Sequence, residues 1–114
     1  MNILKITNKY SAASQIFPED LSAIAAMGFQ MIICNRPDHE DIGQPTAKVI
    51  AEECKQLEIL FYHIPLLNTP FKNQSIKMQQ TLVNECDGPV LAYCRSGQRS
   101  AQVWHVGLGN DTKF

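Results

Sequence analysis

The sequence predicts a three-layer α/β domain in which helices flank a mainly parallel β-sheet. Two observations support this: short apolar segments alternate with amphipathic segments of roughly 10 to 13 residues, and 114 residues is the length of one ordinary domain. Strands joined through helices pair in parallel by right-handed crossovers. We therefore expect residues 1–114 to form a single domain that binds ligands beyond the carboxyl ends of its strands.

The first part of the chain contains two opening strands, a helix and a buried strand. Residues 3–6 and residues 10–13 are short apolar segments that predict the opening strands. Residues 18–20 are a proline and two acids, which favour a helix start, and Gly28 stops that helix. Residues 29–34 form an almost unbroken apolar segment, as expected for a strand buried on both faces.

The second part of the chain continues the alternation of helices and strands. The predicted elements are a helix opened by Pro45 or Thr46, a strand at residues 60–64, a helix at residues 74–86 and a strand at residues 90–93. Three loops then follow parallel strands, starting at residues 35, 66 and 94. Because the carboxyl ends of parallel strands meet at one edge, these loops predict the functional site.

Charge and cysteine usage exclude several classes of protein. With 10 basic and 11 acidic residues, the chain offers no basic face for nucleic acid. No apolar run is long enough to span a bilayer, and polar residues interrupt the first ten positions, so we expect a soluble, cytoplasmic protein without a membrane partner. Four widely spaced cysteines without a Cys-x-x-Cys pair disfavour zinc and disulfides, and we expect neither a metal nor a cofactor.

The motif with the clearest chemistry follows the last predicted strand. It consists of Cys94, Arg95, Ser96, Gly97, Gln98, Arg99 and Ser100. A tight turn from strand to helix directs backbone N–H groups into one concavity that binds anions, and Arg99 can add a bidentate clamp. This positive field predicts that the pKa of Cys94 lies below the free value of about 8.5, which makes the residue a thiolate nucleophile.

Other residues of the motif have supporting roles. Gly97 allows the tight turn, and Arg95 is expected to face solvent and attract anionic substrates. Ser96 and Ser100 either donate a hydrogen bond to the thiolate or cap the following helix. The alternative, that Cys94 is simply a small buried hydrophobe, is disfavoured because charged and hydroxyl residues surround it in the sequence.

The motif, preceded by an apolar strand, resembles the active loop of rhodanese-type sulfurtransferases, in which the cysteine carries a persulfide. The rest of the chain resembles a small bacterial family with a dual-specificity-phosphatase-like fold, described as sulfur transferases or as the phosphatase-like domain beside beta-lactamase-like hydrolases. The matching segments are residues 17–21, 28–29, 33–38, 44–45, 63–65 and 88–91. The resemblance implies a tyrosine- or dual-specificity-phosphatase-like fold with Cys94 and Arg99 as catalytic residues.

Two departures from phosphatases favour sulfur chemistry. Four residues separate Cys94 from Arg99, one fewer than in tyrosine-phosphatase loops. The smaller cradle suits a sulfane sulfur or a smaller oxyanion better than a tetrahedral phosphate. Phosphatases of this fold also place an aspartate general acid upstream of the nucleophile, whereas residues 66–75 contain no acid. Sulfur transfer from a thiosulfate-like donor needs no such acid, because sulfite leaves as a stable anion.

The loop at residues 35–45 supplies further candidates. Asp38, Glu40 and Asp41 are the nearby acids, and their turn context favours capping or pairing with arginine over acid catalysis. Arg36 either supplies positive potential to the pocket or pairs with Asp38.

Two strand-end residues leave alternatives open. His63 either lines the pocket or forms a hydrogen bond with a neighbouring loop. Cys34 either packs in the core or forms a regulatory disulfide with Cys94. Cys54 and Cys86 are expected to be core residues.

The end of the chain predicts a helix break. Trp104 is expected to anchor the core, and the glycines in residues 107–111 are expected to end the last helix. Apolar surface left exposed by a truncated helix is a candidate homo-oligomer interface.

Three functions remain as hypotheses. The preferred one is a sulfur transferase in which Cys94 takes sulfur from a small anionic or persulfide donor and passes it to a thiol or cyanide-like acceptor. The second is a phosphatase with a phosphocysteine intermediate, in which Arg99 holds the phosphoryl oxygens. The third is an anion-binding or redox-sensing module without turnover.

Overall fold

The computed structural model describes the backbone of residues 1–111 and the side chains of residues 1–108. Its elements are β1 (Ile3–Lys5), β2 (Tyr10–Ala13), a 3-10 turn (Pro18–Asp20), α1 (Leu21–Ala26), β3 (Met31–Cys34), α2 (Ala47–Gln56), β4 (Leu60–His63), α3 (Asn73–Glu85), β5 (Val90–Tyr93) and α4 (Gln98–Asp111). The predicted α/β architecture is confirmed.

One five-stranded sheet organises the chain in the order β1-β2-β5-β3-β4. Only β1 is antiparallel to its neighbour, because a short turn joins it to β2, whereas β2, β5, β3 and β4 are parallel. Tyr93 pairs with Ala13 on one side and with Cys34 on the other. The residue that follows β5, Cys94, therefore emerges at the middle of the carboxyl edge of the sheet.

Two apolar clusters cover the two faces of the sheet. Val90 and Ala92 pack in the cluster beneath α3 and α4, while Leu91 and Tyr93 pack in the cluster beneath α1 and α2. This alternation is the period of two expected for a strand buried on both faces. It leaves β5, the strand at the base of the Cys94 loop, without an exposed side chain.

The remaining cysteines occupy the core as predicted. Cys86 packs in the cluster beneath α3 and α4, and Cys34 and Cys54 pack in the opposite one. Burial raises the pKa of Cys54 to about 11, so this thiol stays protonated at neutral pH. Cys34 donates from Sγ to the backbone oxygen of Arg36 at 3.3 Å, and all four cysteines are free thiols.

The predicted break at residues 107–111 is wrong, because α4 continues to Asp111. Gly107 is buried against α3, and its carbonyl oxygen accepts a hydrogen bond from Nε2 of Gln80 at 3.2 Å. Packing on α3 thus outweighs the low helix propensity of glycine. Trp104 stacks on Tyr10 with ring centroids 4.6 Å apart, which confirms its predicted role as an anchor. The last part of the predicted tail, residues 112–114, lies outside the described residues.

No helix within residues 1–111 combines the length and the apolar character needed to cross a membrane.

Candidate active site

Cys94 lies at the base of a loop between β5 and α4. Its backbone N–H donates to the carbonyl oxygen of Ala13 at 3.2 Å, which continues the sheet by one residue. The residue is 1% exposed, yet its sulfur faces the loop: Sγ accepts the backbone N–H of Gly97 at 3.1 Å. A backbone N–H dipole thus points at the sulfur.

Gly97 is required by both conformation and space. Its φ of +95° lies in a region that L side chains rarely adopt. A Cβ at this position would also meet the backbone of Ala13, at 3.3 Å from its carbonyl carbon. Ser96 accepts the N–H of Gln98 through Oγ at 3.3 Å, which confirms its predicted capping role at the start of α4.

Arg99 lies in the first turn of α4 and is held by two partners. NH1 donates to Oε2 of Glu40 at 2.8 Å and to the carbonyl oxygen of Leu66 at 3.0 Å, and NH2 donates to Oε1 of Glu40 at 2.9 Å. The hydrogen bond with Glu40 raises the pKa of Arg99, and interaction with the Cys94 side chain adds to this rise. Because a guanidinium has five N–H donors, these three bonds leave Nε–H and one N–H of NH2 to interact with the Cys94 side chain or with a bidentate oxyanion.

A chain of ion pairs connects this arginine to the loop after β3. Arg36 is 3% exposed and donates from Nε to Glu40 at 2.9 Å and from NH2 to Asp41 at 2.6 Å. Asp41 also lies 3.3 Å from Nε of Arg95. Glu40 therefore bridges Arg36 and Arg99, and Asp41 bridges Arg36 and Arg95, so the two acids hold both arginines of the Cys94 loop.

These contacts change the charge state of Glu40. Its hydrogen bonds with Arg99 and then Arg36 lower the pKa of the carboxyl group to about 2. Glu40 is therefore ionised at neutral pH and cannot act as a proton donor there.

The structure decides between the alternatives for the loop after β3. Asp38 accepts the N–H of Ala47 through Oδ1 at 2.8 Å and so caps α2. The predicted pairing of Arg36 with Asp38 is wrong, because the cap holds Asp38 at α2 while Arg36 binds Glu40 and Asp41. Arg95 is exposed, as predicted.

His63 and Ser100 are both occupied by neighbouring polar groups. His63 places Nε2 2.9 Å from the carbonyl oxygen of Arg36, which confirms the predicted hydrogen bond to a neighbouring loop. Neither predicted role of Ser100 is found. Its buried hydroxyl donates to Oδ1 of Asn35 at 2.9 Å instead of reaching the sulfur or capping α4.

A buried polar cluster beneath α4 was not anticipated from the sequence. Gln79 donates from Nε2 to the hydroxyl of Tyr10 and to Oδ1 of Asn35, both at 3.0 Å. Tyr10 in turn donates to the carbonyl oxygen of Ser100 at 2.7 Å. The cluster ties the first turn of α4 to β2, α3 and the end of β3. The available signal was a glutamine on the buried stripe of α3, between Ile76 and Val83.

Among the described residues, no three side chains of His, Cys, Asp or Glu are grouped so that they could hold a metal ion. The side chains that the loops bring together include the Cys94 thiol, three arginines and the carboxylates of Glu40 and Asp41.

The chain is similar to known proteins along almost its whole length. A family model described as "Beta-lactamase hydrolase-like protein, phosphatase-like domain" matches residues 2–110. The beta-lactamase hydrolase-like protein of Agrobacterium fabrum (strain C58) is 30% identical over 116 residues, which cover 100% of this chain and 26% of that protein. The chain therefore spans about a quarter of the length of this relative.

Solved structures share the fold. A Neisseria meningitidis Z2491 protein, described as a "putative phosphatase", is 33% identical with a TM-score of 0.83, covering 91% of this chain and 74% of that one. P. aeruginosa TpbA is 12% identical with a TM-score of 0.60, covering 95% and 70% of the two chains. At that identity the likeness shows the fold alone. The predicted phosphatase-like fold is confirmed.

Proposed function

Because the chain belongs to the phosphatase-like domain family of beta-lactamase hydrolase-like proteins, we propose that it is an enzyme in which Cys94 is the nucleophile of a covalent group transfer. One observation carries this proposal: the Cys94 sulfur accepts the Gly97 N–H at 3.1 Å and interacts with the Arg99 guanidinium. These contacts place a hydrogen-bond donor and a cation beside the atom that would attack the substrate.

The group that we propose Cys94 carries is a sulfane sulfur. A phosphate ester would release an alkoxide, which needs a proton from a general acid. Residues 66–75 contain no acid, and Glu40, the carboxylate bound to Arg99, has a pKa of about 2. The loop also has one residue fewer between cysteine and arginine than tyrosine-phosphatase loops. A leaving group that departs as a stable anion suits this site better.

With thiosulfate as donor, the reaction has two steps. The Cys94 thiolate attacks the outer sulfur of thiosulfate, a new S–S bond forms, and the bond to the sulfite group breaks with its electron pair on sulfite. The products are a Cys94 persulfide anion and sulfite. An acceptor nucleophile then attacks the outer persulfide sulfur, and the electron pair of the broken S–S bond returns to Cys94 as thiolate.

Phosphoryl transfer is the second candidate, and the comparisons favour it over sulfur transfer. The family description and the Neisseria meningitidis relative both refer to phosphatases, and neither refers to sulfur. In this reaction Cys94 would form a phosphocysteine, and the free edge of Arg99 would hold two phosphoryl oxygens. Without a general acid, it would be restricted to esters with good leaving groups.

A parallel assay separates these functions. Wild-type protein, Cys94→Ser and the control Cys86→Ala are each given thiosulfate with cyanide, and separately an aryl phosphate. We expect thiocyanate from the wild type and the control, a loss of at least ~10³-fold in Cys94→Ser, and one added sulfur atom on Cys94 by mass spectrometry. Efficient aryl phosphate turnover without thiocyanate would select the phosphatase instead. Activity in neither assay would select a binding or redox module.

A further inference from the structure

A cavity of about 510 Å³ opens beyond the carboxyl end of β4. The loop between β4 and α3 forms one wall, and the first two turns of α3 form the other. The lining includes His63, Leu66, Leu67, Phe71, Lys72 and Met78. This volume is within the range of about 300–1,000 Å³ that small-molecule sites occupy in proteins.

The cavity adjoins the proposed active site through two lining residues. Leu66 accepts a hydrogen bond from NH1 of Arg99 on its carbonyl oxygen at 3.0 Å. His63 places Nε2 2.9 Å from the carbonyl oxygen of Arg36. The loops after β4, β3 and β5 all leave the same edge of the sheet. The cavity therefore borders Leu66, the residue whose carbonyl oxygen binds the Arg99 guanidinium.

The lining combines apolar walls with one cation. Leu67 is 72% exposed and Met78 is 46% exposed, and they face the cavity together with the Phe71 ring. None of the lining residues is acidic. Lys72 takes part in none of the ion pairs found among the described residues, whereas the arginines around Cys94 are all paired. The cavity thus offers aliphatic contacts and an uncompensated positive charge.

We propose that this cavity binds the sulfur acceptor, and that the acceptor is a small thiol with a short aliphatic body and a carboxylate. The assignment rests on the proposed sulfur transfer. The carboxylate contacts Lys72 and the aliphatic part packs on Leu67 and Met78. The acceptor thiolate attacks the outer sulfur of the Cys94 persulfide. An S–S bond forms on the acceptor, the bond to Cys94 breaks, and its electron pair remains on Cys94 as thiolate.

The test uses three acceptor thiols of similar size and different charge. They are 3-mercaptopropionate, 2-mercaptoethanol and cysteamine, which carry a carboxylate, no charge and an ammonium group. Each is given to wild-type protein, to Lys72→Glu and to the control Lys77→Glu, whose lysine lies on α3 but outside the cavity. The measured quantity is kcat/KM of each variant divided by that of the wild type with the same thiol. The intrinsic reactivity of each thiol cancels in this ratio.

For Lys72→Glu we expect a loss of ~10-fold with 3-mercaptopropionate, little change with 2-mercaptoethanol and a gain of several-fold with cysteamine. For Lys77→Glu we expect changes below ~2-fold with all three. Lys72 is exposed and immediately precedes α3, where an acidic residue is compatible with the helix N-terminus, so the variant is expected to fold.

Transfer to cyanide separates the two levels of the proposal. If the wild type transfers sulfur to cyanide but Lys72→Glu changes all three thiol ratios equally, the acceptor assignment is overturned and the proposed function stands. The acceptor assignment is likewise overturned if Lys77→Glu reproduces the charge-dependent pattern. If the wild type transfers no sulfur to cyanide, the proposed function fails and the acceptor assignment fails with it.

Discussion

Replacing Glu40 with Gln tests whether the ion-pair chain holds Arg99 in place. Glu40 accepts one hydrogen bond from Arg36 and two from Arg99. Glutamine keeps one acceptor oxygen but presents an NH2 group to the second donor, and it removes the charge. We expect lower stability and a higher KM for thiosulfate, because the free edge of Arg99 loses its fixed orientation.

The magnitude follows from the pKa of the carboxyl group. A change from the ordinary 4.5 to about 2 corresponds to about 3.4 kcal/mol of stabilisation of the ionised form. The side chain is 27% exposed, so solvent screening reduces the expected loss at pH 7 to ~1–2 kcal/mol. Because the folded-state pKa is depressed, this stabilisation is fully present above pH 4.5 and disappears as the pH falls through about 2.

Urea denaturation of the wild type and Glu40→Gln between pH 7 and pH 3 measures this difference. The gap in unfolding free energy is expected to be constant down to about pH 5 and then to narrow. Glu52→Gln, an equivalent substitution on the exposed side of α2, serves as the control and is expected to change stability by less than ~0.5 kcal/mol. Equal stabilities at pH 7, or a gap that stays the same at pH 3, would refute the reasoning.

Two further substitutions test the loop itself. Gly97→Ala is expected to lower the free energy of unfolding by ~2 kcal/mol, or the melting temperature by about 8 °C, and to slow alkylation of Cys94. The reason is that residue 97 has a φ of +95° and that a Cβ there would lie 3.3 Å from the carbonyl carbon of Ala13. An unchanged melting curve would contradict this prediction. Arg99→Lys keeps the charge but loses the planar fork, so the KM for thiosulfate is expected to rise ~10-fold or more, and retention of wild-type kinetics would show that bidentate binding is not used.

Most of the fold was predictable because its elements carry local signals. The strand predicted at residues 90–93 coincides with β5, and the helix predicted at residues 74–86 differs by one residue at each end from α3. Turn residues and apolar runs are properties of neighbouring positions, which a sequence displays directly. The helix break predicted at Gly107 is wrong because the helical conformation of this residue depends on its contact with α3, which is distant in the sequence.

The difference between local signals and distant contacts also explains which parts of the candidate site could be predicted from the sequence. Cys94 and Arg99 lie in one short motif, so their proximity was evident. The partner of Arg99 is Glu40, 59 positions away in the chain, and the partner of Gln79 is Asn35, 44 positions away. Sequence reasoning placed Glu40 in an arginine-pairing turn but had no means of choosing the arginine. Side-chain contacts between loops require the sheet order, which places β3 beside β5.

The charge balance around the sulfur links the phosphatase-like fold with the proposed chemistry. Glu40 and Asp41 neutralise two of the three arginine charges near Cys94, so one cationic charge remains beside the Cys94 sulfur. A phosphate monoester dianion would bring two further negative charges, and residues 66–75 offer no acid to protonate its alkoxide leaving group. Thiosulfate is also a dianion, but its sulfite leaving group needs no proton donor. A persulfide donor of low charge brings little negative charge and needs no proton donor either. The acids that hold Arg99 in position therefore also favour substrates that carry little charge and leave without a proton.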